Sequence, residues 1–120
     1  MAKKTRYSDK ELDAFQRIIE AKLRQSRIIL EEYLQQISDH GDSEDARIRG
    51  LDDAGSTSQN DRLSNMAARQ RKYIHHLENA LLRVKNKNYG ICRASGELIS
   101  KKRLKVVPHA TLSIKAKQQR

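Results

Sequence analysis

Two stretches of apolar residues spaced by threes and fours, parted by an acidic turn-rich segment, most constrain what this chain can fold into. The first places Leu12, Phe15, Ile19, Leu23, Leu30, Tyr33 and Ile37 on one side of a helix, widened by Ile18, Ile29 and Leu34. Ser8-Asp9-Lys10-Glu11 stands ahead of it with capping-box spacing. Asp9, Glu11 and Asp13 fall in the first turns, where they complement the helix dipole. The pattern predicts a helix over about residues 8–39, interrupted at Lys22 and Ser26. The second stretch is a cleaner heptad, Leu63, Met66, Gln70, Tyr73, Leu77, Ala80 and Val84, flanked by Ala67, Ile74 and Leu81. It predicts a helix over about residues 61–88 with basic Arg83, Lys85 and Lys87 in its last turn and Gly90 as its left-handed stop.

Between them, residues 39–61 carry Asp39, Asp42, Glu44, Asp45, Asp52, Asp53 and Asp61 against Arg47 and Arg49. Gly41, Gly50, Gly55 and Ser56-Thr57-Ser58 mark turns, and residues 46–51 have the composition for a helical turn. Two amphipathic helices joined this way most simply fold back on each other as a monomer. Intermolecular dimerisation through residues 63–84 is the rival, which would make the chain a coiled-coil adaptor. The expected fold is mainly α: a long antiparallel coiled-coil hairpin over residues 1–88, with its tip at 40–60, and a small α+β lobe over 89–120. In that lobe Ser95-Gly96 reads as a turn between short extended pieces near residues 91–93 and 97–99. Lys105-Val106-Val107-Pro108 reads as extended, and residues 110–119 as a short final helix.

The charge is unevenly placed. The formal net charge of +10 lies in the last third, where residues 83–120 oppose eleven basic side chains with Glu97 alone. A polyanionic partner, nucleic acid or an acidic protein surface, is one reading, and a solvated basic tail is the other. Lys101, Lys102, Arg103, Lys105 and Lys117 are the candidate partner-binding surface. Tyr89 is the lobe's lone aromatic, which argues against single-strand binding by base stacking, so direct DNA binding is expected to be weak or absent. No run approaches a membrane span, and basic residues near Met1 are followed by no apolar signal segment, so a cytoplasmic protein is expected.

Catalytic patterns are missing. There is no Gly-rich phosphate loop, His-Glu-x-x-His or nucleophile elbow, so no enzyme is expected. Adjacent His75 and His76 point about 100° apart on a helix and cannot chelate one ion together. His40 suits a helix C-terminus. Cys92, the single cysteine, reads as a small packed residue whose thiol Arg93 and Lys101 could acidify. With His109 it makes two ligands where a structural zinc takes four, so neither metal nor cofactor is expected.

The stretch Tyr89-Gly90-Ile91-Cys92-x-x-Ser95-Gly96-x-x-Ile99-x-x-x-Arg103-Leu104-x-x-x-Pro108-x-Ala110-x-Leu112-Ser113 resembles the C-terminal signature of the DksA/TraR family of bacterial transcription factors. Zinc-bearing members have cysteines at four positions that here read Cys92, Ser95, Ser113 and Ala116. The resemblance, extended over about residues 8–117, implies a coiled coil that enters the secondary channel of RNA polymerase. It implies a tip that acts near the catalytic centre to alter promoter complexes. The family's tip motif, D-x-x-D-x-A, falls on Arg49-Gly50-Leu51-Asp52-Asp53-Ala54. Asp52 and Ala54 match, Arg49 replaces the first aspartate, and Asp45 or Asp53 would stand in for it if the loop shifts. The positions of the family's ppGpp site read His76, Val107 and Lys117, implying weak or no ppGpp dependence. Acidic residues at a hairpin end about 45 Å from a basic lobe would make a bipolar element that puts carboxylates deep in a channel.

Overall fold

A computed structural model describes the backbone of residues 5–42 and 54–118, and the side chains of residues 5–39 and 59–118. Among the described residues there are four α-helices: α1 (Asp9–Asp42), α2 (Ala54–Lys85), α3 (Lys101–Val106) and α4 (Ile114–Gln118). The fold is mainly α, a pair of long antiparallel helices followed by a small lobe. Its contacts divide into two units, one formed by Met1–Leu23 with His75–Arg120, the other by Arg24–Ile74.

In the first unit the start of α1 meets the end of α2 and the lobe. Leu12, Phe15, Ile19 and Leu23 from α1, with Leu77, Ala80 and Val84 from α2, are buried. Each large aliphatic side chain so placed contributes about 1.5–3 kcal/mol. The capping box forms as the spacing predicts: the Glu11 N–H donates to Ser8 Oγ at 3.2 Å, and the Ser8 N–H to Glu11 Oε1 at 3.0 Å.

The second unit has a poorer seam. Ser26 is buried, so the stripe of α1 runs through the serine that interrupts the apolar pattern. Facing positions on α2 include buried Leu63, Ala67 and Ile74, with Gln70 half-buried. The side-chain oxygens Asn60 Oδ1 and Gln70 Oε1 are buried without a hydrogen bond. Such groups forfeit about 1–3 kcal/mol each, so this seam is held less strongly than the first.

Three details differ from the sequence reading. The second helix begins at Ala54 and ends at Lys85, earlier at both ends than its heptad suggests. Its left-handed stop is Lys87 (φ 64°), not Gly90. The Asn88 N–H donates to the Arg83 carbonyl and the Lys87 N–H to the Val84 carbonyl, each at 3.0 Å, the paired bonds of a Schellman end. Residues 105–106 are helical, not extended: Ser100 caps α3 by accepting from the Arg103 N–H at 3.2 Å, and only Val107, immediately before Pro108, leaves the helical region. The extended pieces near residues 91–93 and 97–99 meet as one antiparallel bridge, Ile91 to Leu98. The segment from residue 43 to 53, including residues 46–51, lies outside the described residues.

Candidate functional site

The lobe is organised by an aromatic cluster. Tyr7 and Phe15 meet edge to face at 5.4 Å between ring centroids, and Phe15 and Tyr89 are tilted at 5.2 Å. The Tyr7 hydroxyl donates to the Ile99 carbonyl, and the Tyr89 hydroxyl to the Pro108 carbonyl at 2.8 Å. Burial pushes both phenols above their usual range, so each stays a donor. Gly90 (φ +80°) lies so close beneath Tyr7 that a Cβ there would stand 2.6 Å from its Cε2. Tyr7 is absent from the apolar stripe read above, because it precedes the helix. Its place before the cap and five residues ahead of Leu12 is the hydrophobic-staple pattern, the signal that would have found it.

The same end of α1 is tied to the lobe by charge. Lys101 pairs with Glu11 and sits 6.0 Å from the centroid of the Tyr7 ring. Lys87 reaches Asp9 at 3.1 Å, and Arg6 reaches it at 3.4 Å. The bond from Lys87, then that from Arg6, holds the exposed Asp9 carboxyl below the usual carboxylate range. Surface pairs of this kind contribute little individually, and they fix orientation more than stability.

Around Cys92 the donor set is wrong for zinc. Cys92 is buried, and its Sγ accepts the Ser113 N–H at 3.4 Å. Ser113 Oγ accepts the Ala116 N–H at 3.1 Å and so caps α4, and Ser95 Oγ accepts the Glu97 N–H at 3.3 Å. Ala116 offers no side-chain donor atom. One thiol, with the Ser113 hydroxyl used as a helix cap and the Ser95 hydroxyl in a turn, does not make the four-ligand set that a structural zinc requires. No group of three or more His, Cys, Asp or Glu suited to a metal ion occurs among the described residues. The Cys92 thiol is pulled down to about 6, first by the Ser95 hydroxyl and then by backbone N–H groups of Ser113, Ser95 and Ala94. Arg93 and Lys101, the acidifying cations suggested by sequence, are not its cause.

The basic surface residues have divided roles. Lys101, Lys102, Arg103 and Lys105 all stand on α3, while Lys117 stands on α4. Lys101 is occupied by Glu11, and half-buried Arg103 donates through Nε to the Leu112 carbonyl at 3.0 Å. Lys102, Lys105 and Lys117 are exposed. Val107 and Lys117 line a small cavity of about 180 Å³ with Arg103 and His109. The His76 ring stacks on His109 at 5.4 Å, so the positions 76, 107 and 117 gather around a histidine weighed from sequence only as a partner of Cys92. Burial first, then His76, Arg83 and Arg103, lowers the His109 pKa, so the cationic charge at this cavity comes from Arg103 and Lys117. The side chains of His40, Asp52, Asp53 and Ala54 lie outside the described residues, and Ala54 is the first residue of α2. No helix among the described residues is long and apolar enough to cross a membrane.

Comparison with known proteins gives a consistent result. The family model of the prokaryotic DksA/TraR C4-type zinc finger matches residues 87–120. Two curated relatives, the RNA polymerase-binding transcription factors DksA of Caulobacter vibrioides strains NA1000 / CB15N and ATCC 19089 / CIP 103742 / CB 15, are each 30% identical, with 93% of this chain and 77% of the relative covered. Among solved structures, transcription factor DksA2 from Pseudomonas aeruginosa is similar with a TM-score of 0.80 and 26% identity, covering 90% of this chain and 81% of that one. With its paired helices, the matched lobe and this extent of similarity, the chain belongs to the DksA/TraR family.

Proposed function

We propose that this chain is a non-catalytic transcription regulator that binds bacterial RNA polymerase in the cytoplasm, enters the secondary channel with its helical hairpin, and modulates initiation through the tip residues Asp52, Asp53 and Ala54. The observation that carries the reading is similarity across 93% of the chain to factors named for binding RNA polymerase. It spans both long helices and the lobe, so the whole arrangement is shared and not the lobe alone. In this reading the lobe and helix flanks supply affinity, and Asp52 supplies a carboxylate at the polymerase centre. The sparse charge at positions 76, 107 and 117 favours an activity with little ppGpp dependence.

A nucleic-acid-binding role for the lobe is disfavoured by two contacts. Lys101 is engaged by Glu11, and Arg103 by the Leu112 carbonyl, which breaks the run of cations into separate exposed lysines. Free duplex DNA should be bound only in the range of about 10⁻⁴–10⁻⁶ M typical of non-specific association at physiological salt. The test is to ask whether core RNA polymerase co-purifies with the chain, then to assay transcription with Asp52→Asn. The substitution should leave binding intact and lower the effect on initiation. Full activity in a folded, polymerase-bound Asp52→Asn chain refutes the role of the tip.

A further inference from the structure

Within the first unit, the start of α1 and the end of α2 leave a groove of about 520 Å³ between them. Its floor is apolar, with Leu12 and Val84 buried in it, and Leu82 stands at its side 57% exposed. The walls differ in sign: α1 contributes Asp9 and Asp13, while α2 contributes Lys85, with Lys87 just beyond it. Asp9 and Lys87 pair with each other at 3.1 Å, which closes one end and sets the two helix ends level. Asp13 and Lys85 remain on opposite walls, and neither is engaged by another described residue. Folding back has meanwhile used the heptad face of α2, since Leu77, Ala80 and Val84 are buried within the chain. Leu82 lies outside that face.

We infer that this groove is the contact surface of a symmetric homodimer, in which Leu82 of each copy enters the groove of the other and Asp13 of each meets Lys85 of the other. Charge complementarity chooses a second copy as the occupant. The groove fits an apolar side chain with a cation on one flank and a carboxylate on the other, and its own rim presents that set. A two-fold axis parallel to the helices lays α1 of one copy over α2 of the other and keeps their heights, so the acidic wall faces the basic wall twice. An axis across the helices would set α1 on α1 and carboxylates on carboxylates. The favoured arrangement joins two helix pairs as a four-helix bundle. With one open leucine per copy and exposed ion pairs of modest worth, association is weak, with a Kd of about 10⁻⁶–10⁻⁴ M. Such a contact needs no polymerase, so its test stands apart from the function proposed above.

Sedimentation equilibrium of the full chain, from roughly micromolar to roughly millimolar concentration, reads the association directly. The mass should rise toward two chains as concentration increases, and added salt should weaken the association. Leu82→Ser should weaken it roughly tenfold or more, as truncation of a central anchor does. Asp13→Lys and Lys85→Asp should each weaken it, because each sets like charges together twice, and the two changes combined in one chain should restore it. All three side chains are exposed, so circular dichroism should match the parent's. Val106→Ser, at a side chain 76% exposed on α3, is the control and should associate as the parent does. A chain that stays monomeric across the whole range overturns the inference. So does a dimer that Leu82→Ser leaves intact, or one that the combined charge exchange fails to restore. Loss of association in Val106→Ser would place the contact on the lobe and overturn it as well.

Discussion

Gly90→Ala tests how a lobe with one cysteine is held to the helices. At φ +80° an alanine is in the left-handed region, at about 1–2 kcal/mol. Its Cβ would also stand 2.6 and 2.8 Å from Tyr7 Cε2 and Cδ2 and 3.1 Å from Leu104 Cδ1. The tyrosine ring must move, which loosens its edge-to-face contact with Phe15, about 0.5–1.5 kcal/mol. The bond to the Ile99 carbonyl is strained or lost with it, leaving a buried acceptor that forfeits about 1–3 kcal/mol. The total should be about 3–5 kcal/mol, a large part of the stability of a small protein. Urea unfolding followed by circular dichroism and tyrosine fluorescence measures it. In a Tyr7→Ala background the clash with the ring is gone and only the 3.1 Å approach to Leu104 Cδ1 remains, so Gly90→Ala should lose chiefly the backbone portion, about 1–2 kcal/mol. A coupling of about 2 kcal/mol is therefore expected in the double-mutant cycle. Coupling below about 0.5 kcal/mol, the level of independent sites, would refute the packing of Tyr7 over Gly90.

Three further outcomes follow from the same contacts. Treatment with a strong metal chelator should leave the melting temperature unchanged, because Ser113 caps α4, Ser95 closes a turn and Ala116 has no donor; a chelator-induced loss of the fold would overturn this. Gln70→Leu should stabilise the chain by about 1 kcal/mol, seen as a melting temperature several degrees higher, since Oε1 is buried without a partner; a lower melting temperature would place a bond on that oxygen. The Cys92 thiol, at about 6 in the fold against an ordinary 9.0, should contribute stability that is complete above the ordinary value and falls away as pH drops toward 6. Thiolate absorbance should titrate near that lower value, and Cys92→Ser should remove the pH dependence. A midpoint near the ordinary value would contradict the hydrogen bonding from Ser95 and Ser113.

Much of the fold was legible because it is written in periodicity. The stripe from Leu12 to Leu23 became a buried face, Leu63, Leu77, Ala80 and Val84 of the heptad are buried while Met66, Gln70 and Tyr73 are half-buried, and Ser8 and Glu11 formed the box their spacing implies. What escaped depends on contacts distant in sequence. Tyr7 binds the Ile99 carbonyl, ninety-two residues away, and no local pattern encodes that. The α3 helix was hidden because β-branched Val106 and Val107 before Pro108 suggest extended chain, while the cap at Ser100 decided the outcome. At the lobe surface, sequence grouped five cations, but only structure shows that Glu11 and Leu112 engage two of them. The convergence of positions 76, 107 and 117 on His109 was likewise invisible in the order of residues.

The most direct test of the central claim is to locate the tip in the complex. A photo-crosslinking residue in place of Asp52, in a chain bound to core RNA polymerase, reports which polymerase groups lie within its reach. Crosslinks should map to the walls of the secondary channel beside the catalytic centre. Crosslinks confined to the outer surface of a polymerase that still binds the chain would contradict entry into the channel.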